Sequence, residues 1–145
     1  MAHQGTLIVA ADVAEDMVEI MSALFEARFP IERMEPVDVY HGDDDASMAA
    51  NNTSAFNCRP VTGGSRWSEH SYGTAIDVNP LINPYVRRDL VLPPGGAPYV
   101  DRNVEAPGLI REGDVVVDAF SEYGWYWGGS WSFPKDYQHF STTGR

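Results

Sequence analysis

A single cysteine, Cys58, in 145 residues excludes an internal disulfide and any four-cysteine metal site. Basic residues are scarce as well: ten Lys and Arg against 21 Asp and Glu give a net charge of −11, with no basic stripe along the chain. Nucleic-acid binding needs a cationic footprint and is disfavoured. An acidic surface likewise offers no general attraction to an anionic cell wall. Long apolar runs are missing too. Leu7-Ile8-Val9-Ala10 is too short for a membrane span or a signal sequence, so neither membrane insertion nor an export signal is expected. There is no repeat, low-complexity tract or linker. With 43% hydrophobic and 21% charged residues the composition is that of a globular protein, and the length suits one domain over 1–145 with a real core.

Periodicity supplies the elements. Leu7–Ala10 reads as a strand, and Asp12 as the cap of a helix in which Val13, Met17, Ile20, Met21, Leu24 and Phe25 recur at helical spacing until Pro30 ends it. Val37–Tyr40 reads as a strand. The cluster Gly42-Asp43-Asp44-Asp45 lacks the spacing of a calcium loop and reads as a solvated turn capping a short helix over 46–50. Further strands are expected over 53–59, 74–78, 125–127 and 137–140. A third helix is expected over 113–123, with Val116, Val117, Phe120 and Tyr123 facing inward. Residues 80–107 are rich in Pro and Gly and read as a long surface excursion of the kind that shapes a cleft. The expected fold is α+β, a small mainly antiparallel sheet with helices on one side.

Two stretches carry chemistry. His70 and Asp77 flank Gly73 with six residues between them, and Asp136 precedes His139 by three positions. Three protein ligands with one open position mark a catalytic zinc site, whereas structural sites close with four. His70, Asp77 and His139 make such a set, although Asp77 could instead orient a histidine through a hydrogen bond. Asp136 then remains as a general base. Residues three apart on an ideal strand face opposite sides, so the segment must bend if Asp136 and His139 are to share a site.

The pattern Ser68-x-His70-x-x-Gly73-x-Ala75-x-Asp77, followed by Asp136-x-x-His139, resembles the signature of zinc peptidases that cut peptidoglycan stem peptides. These comprise D-alanyl-D-alanine carboxypeptidases and dipeptidases, and phage L-alanyl-D-glutamate endopeptidases. Asn57-Cys58-Arg59-Pro60 and Trp127-Gly128-Gly129 are similar to the endolysin-like branch, and the resemblance covers roughly residues 50–140. It implies a fold shared with hedgehog-type domains and Zn2+ bound directly by His70, Asp77 and His139. Asp136 would act as the base, taking a proton from the attacking water. An aspartate there, where dipeptidases carry glutamate, tilts the expectation towards an endopeptidase over a D-alanyl-D-alanine carboxypeptidase.

Arg59, with Arg66 as its competitor, is the expected cation for the substrate oxygen as it becomes negative. Ser68 would support the substrate or the metal surroundings, or simply stabilise a turn. Trp127, Trp125, Tyr72 and Trp131 read first as core and cleft-wall aromatics, one or two of which line the groove, with Trp127 and Tyr72 as the candidate substrate contacts. Cys58 reads as a buried apolar thiol rather than a nucleophile. The implied partner is a stem peptide, met outside the membrane by an extracytoplasmic monomer or a released phage lysin. A zinc-bearing binding module without turnover is the rival from another class. Two features depart from the family: Ser141 follows Phe140 where many relatives carry an acidic residue, and only six residues follow His139.

Overall fold

Helical spacing of apolar residues gives two amphipathic helices that bury their stripes against each other. In the computed structural model, which describes residues 1–145, α1 (Ala14–Glu26) buries Met17, Ile20 and Leu24. After a short second helix, α2 (Asp44–Ala49), α3 (Val115–Glu122) buries Val116, Ala119 and Phe120. Phe120 stacks on Phe140 with ring centroids 4.1 Å apart and meets Trp125 edge-on at 5.7 Å. Ile76, Val78 and Trp127 complete one continuous core. Each large side chain removed from water there contributes about 1.5–3 kcal/mol.

The strands are short and divide among three small sheets, within the expected α+β class. A parallel pair joins β1 (Arg33–Met34) to β2 (Asn52–Thr53). One antiparallel sheet has the order β3 (Ala75–Asp77), β8 (His139–Ser141), β6 (Tyr126–Trp127). The other runs β5 (Leu90–Leu92), β4 (Tyr85–Arg87), β7 (Lys135–Asp136).

Several expected elements differ. Leu7–Ala10 is extended but is no strand, because Ile8 accepts from Phe56 while Ala10 donates to Gly73, two separate segments that form no ladder. Asp12 does not cap α1: residues Ala11–Val13 form a 3-10 turn, and no side chain bonds the helix start. Val37–Tyr40 is also a 3-10 turn, held between Pro36 and left-handed His41 with no strand edge to pair with. Asp43 does cap α2, its carboxylate accepting from the Ala46 amide at 3.0 Å. Of the expected 53–59 strand only Asn52–Thr53 forms one, and Ser54 then exchanges two backbone hydrogen bonds with Asp77. Tyr123, expected inward, lies exposed just past the end of α3.

The long excursion is structured rather than loose. It contains the β4–β5 hairpin and is tied down by Arg102, which donates to the carbonyls of Ile82, Tyr99 and Ile110 and to Asn83 Oδ1 at 2.6–2.9 Å. Its guanidinium also sits 4.4 Å above the Tyr137 ring, which fastens the excursion to the segment leading into His139. Arg102→Ala strands the three carbonyls, while Asn83 Oδ1 keeps the Ile110 amide, and is expected to lower stability by about 2–4 kcal/mol. Urea denaturation checks this, and a loss within error of zero would show that water replaces the guanidinium.

Candidate metal centre

Register places two of the expected ligands. In the β3–β8 ladder Asp77 stands directly opposite His139, with Ile76 opposite Phe140 one step away. Directly opposed residues share a face and alternate ones reverse it. Ile76 and Phe140 therefore enter the core while Asp77 and His139 point together to the other side.

His70 comes from the turn before β3. Ser68 begins a 3-10 turn over Glu69–Tyr72 by accepting the His70 amide at 3.3 Å, and Gly73 ends it with φ 69°. A Cβ on Gly73 would lie 2.6 Å from the Ala10 nitrogen, so the turn closes against the 7–10 segment only because that atom is missing. The spacing Ser-x-His-x-x-Gly-x-Ala-x-Asp is thus a capped turn followed by a strand, and it folds His70 back beside Asp77.

The three side chains converge. His70 Nε2 lies 3.1 Å from Asp77 Oδ2, His139 Nδ1 lies 3.4 Å from Asp77 Oδ1, and the two imidazole nitrogens are 3.2 Å apart. Each outer ring nitrogen meets a backbone carbonyl: His70 Nδ1 with Ala55 at 2.7 Å and His139 Nε2 with Arg145 at 2.8 Å. Carbonyls only accept, so these two nitrogens carry the hydrogens and the two that face each other present lone pairs.

Two lone pairs and a carboxylate aimed at one point repel unless a proton or a cation lies between them. Tetrahedral ligands at about 2.0–2.1 Å from zinc sit roughly 3.3–3.4 Å from one another, which matches the spacing seen here. Together with the carbonyls that fix both tautomers, this is a donor set that fits zinc.

In the metal-free protein, protons partly fill the cation's place. Burial alone would depress the His139 imidazolium. The hydrogen bond to Asp77 and the charges of Asp136 and Asp77 outweigh it and raise the pKa from 6.5 to about 9. Burial would conversely raise Asp77, but the two imidazoles hold it well below the usual carboxylate range.

Asp136 lies on β7, paired with Tyr85 in the other three-stranded sheet, so the chain crosses between sheets within the three residues before His139. This is the bend the sequence demanded. Gly128 permits the approach, since a Cβ there would lie 2.6 Å from the Asp136 carbonyl and 3.3 Å from His139 Cβ. Oδ1 of Asp136 is shielded from water and has no partner. Burial, reinforced by the nearby charge of Asp77, pushes its carboxyl from 3.8 up to about 7.

The centre opens on a cleft of about 450 Å³ lined by Arg59, Arg66, Ser68, His70, Asp136 and His139 among others. Arg59 reaches the converging set: its Nη2 is 3.8 Å from Asp77 Oδ2 and its Nε 3.2 Å from Asp44 Oδ2. The Nε hydrogen does not point at that oxygen, so the Asp44 contact is an ion pair without an aligned hydrogen bond. Asp44 also accepts from Asn57 Nδ2 at 2.9 Å, and burial raises its pKa. It was legible only as part of a capping cluster; nothing in the sequence ties it to Arg59.

Three expectations are corrected. Trp127 does not line this cleft: its ring packs in the core towards Phe140, its indole donating to the Tyr137 carbonyl. Tyr72, 59% exposed at the end of the His70 turn, does not line it either. Cys58 is exposed rather than buried, because the neighbouring Asn57 takes the inward position. Trp131, half-buried with its ring centroid 5.5 Å from that of His139, supplies the aromatic wall instead.

Two outcomes test the site. Gly73→Ala combines a left-handed backbone with a clash against Ala10 and is expected to lower stability by about 2–4 kcal/mol, read by chemical denaturation. The second concerns pH. A raised His139 pKa stabilises the metal-free fold fully below 6.5, and that contribution is lost as pH rises through about 9. Zinc needs the neutral imidazole, so its stabilising effect should grow over the same interval. Thermal unfolding with zinc and with a chelator, compared at both ends of that window, checks this; equal zinc stabilisation at both ends would contradict it.

A family model described as D-alanyl-D-alanine carboxypeptidase matches residues 62–142, which include His70, Asp77, Asp136 and His139. No curated protein and no solved structure matches the chain. The match spans more than half of the sequence and holds the whole converging set, and the chain belongs to the D-alanyl-D-alanine carboxypeptidase family: it is a zinc metallopeptidase that acts on peptidoglycan.

Proposed function

We propose that this enzyme hydrolyses the L-alanyl-D-glutamate bond of the stem peptide, with His70, Asp77 and His139 holding the zinc, Asp136 moving the proton and Arg59 steadying the carbonyl oxygen. The observation that carries the reading is the convergence of three ligand atoms beneath a cleft that the unpartnered Asp136 carboxylate also lines. When bound, zinc supplies Lewis acidity to the scissile carbonyl and lowers the pKa of water towards roughly 7.

Asp136 has no competing hydrogen bond at Oδ1, and its burial raises its affinity for a proton, which suits a group that takes a proton from the attacking water and returns it to the leaving amine. The water oxygen bonds to the carbonyl carbon, the carbon–nitrogen bond breaks, and the amine departs with that proton. Arg59, braced by Asp44 and Asp77, offers its remaining guanidinium hydrogens to the oxygen that gains negative charge. Ser68 acts through His70, whose turn it caps.

Aspartate at position 136 favours the endopeptidase reading. So does a cleft far larger than a terminal alanine needs, with walls from residues 59–70 on one side and 131–139 on the other. The substrate lies at the cell wall, and no helix of this chain is long and apolar enough to cross a membrane.

Asp136→Asn keeps shape but loses the proton acceptor, and kcat is expected to fall by roughly 10²–10⁴ with zinc content unchanged. Mass spectrometry of digested muropeptides checks the bond: new L-alanine carboxyl and D-glutamate amino ends are expected. Loss of a single terminal alanine would instead establish carboxypeptidase activity.

A further inference from the structure

The chain is strongly acidic, yet four of its ten basic side chains, Arg59, Arg66, Arg87 and Arg145, line the one cleft above the metal ligands. Two of them are already engaged. Arg59 pairs with Asp44 and Asp77, and Arg145 lies 3.7 Å from Glu69. Arg66 and Arg87 make no ion pair, the polar neighbour of Arg87 being the neutral Tyr85 hydroxyl, and both are exposed.

Both line the cleft, and Arg87 lies against the turn that Arg66 closes. Arg66 closes the turn that starts at Val61, its carbonyl accepting the Val61 amide at 2.8 Å. Gly63, inside that turn, faces Arg87 so closely that a Cβ on it would lie 3.0 Å from Arg87 Nη1. Trp67 and Phe133, each more than half exposed, line the same cleft. Of the cleft's own carboxylates, Glu69 is taken by Arg145 and Thr74, and Asp136 is the proposed base.

We infer that Arg66 and Arg87 form a carboxylate-binding subsite that selects acidic stem peptides carrying a free carboxylate on the residue next to the scissile bond. Two guanidinium groups that line one cleft without a counter-ion leave their hydrogens free for a ligand carboxylate, which binds them with charge-assisted hydrogen bonds. The same pair places two positive charges without an ion-pair partner in the cleft of a negative protein, which favours an anionic peptide there over the rest of the surface. The subsite rests on the peptidoglycan peptidase reading and extends it: a D-glutamate with a free carboxyl group is accepted, and the same residue carrying a carboxamide is disfavoured.

The test uses two synthetic stem peptides that differ only in a carboxylate or a carboxamide on the D-glutamate. Zinc-loaded wild type is expected to prefer the carboxylate peptide by roughly tenfold or more in kcat/KM, with the preference shrinking as salt rises. The Arg66→Gln/Arg87→Gln double variant should lose most of that preference through KM while keeping kcat on the carboxamide peptide. Calorimetric titration of both peptides into metal-free protein should show the same discrimination, and its loss in the variant. No preference in wild type, or a preference that survives in the double variant, overturns the subsite. If neither peptide is cut, the L-alanyl-D-glutamate reading fails, and the calorimetric comparison alone then decides whether the two arginines bind a carboxylate.

Discussion

The register between β3 and β8 is the constraint on which the site depends. Opposing Asp77 to His139 sends both polar side chains to one face while Ile76 and Phe140 enter the core on the other. A slip of one residue would invert this, setting a carboxylate or an imidazole against Phe120 and dismantling the metal set in the same step. The hydrophobic contact of Phe140 with Phe120 and the chemistry of His139 are therefore enforced by one backbone pairing. The centre sits at the sheet's margin, with two glycines, Gly73 and Gly128, giving up side-chain volume where His70 and Asp136 must come close.

Electrostatics then sets what the pocket will hold. Three titratable groups packed within a few ångströms and hidden from water are costly as free charges. The backbone carbonyls of Ala55 and Arg145 remove the cheapest escape, since they bind the outer ring nitrogens and leave lone pairs facing inward. Without a cation the cluster retains a proton on His139 to a pH well above the usual imidazole range. A divalent ion resolves the same repulsion more completely.

Beyond the metal ligands, charge is distributed unevenly. A net −11 chain gathers four of its ten basic side chains around one opening, where Asp44, Asp77 and Glu69 pair with two of them. Asp44 shows how such a cleft is tuned: it is spent on Arg59, and Arg59 in turn lies against Asp77, so a residue of α2 reaches the reaction centre through a chain of ion pairs.

Much of the site could be read from residue order alone. A serine cap, a histidine, a glycine that ends the turn and an aspartate on the following strand are local chemistry, and the sequence singled out His70, Asp77 and His139, which the fold brings together. The amphipathic stripes of α1 and α3 were likewise legible, because their spacing is local. What only the tertiary structure decided is which distant groups meet. The bend between β7 and β8, the clasp of Asp44 on Arg59, the inward turn of Trp127 and the carbonyl of Arg145 behind His139 each depend on segments tens of residues apart. Val37–Tyr40 shows the same limit: an apolar alternation becomes a strand only where a neighbouring edge has free backbone groups, and that neighbour is supplied by the fold and not by the four residues themselves.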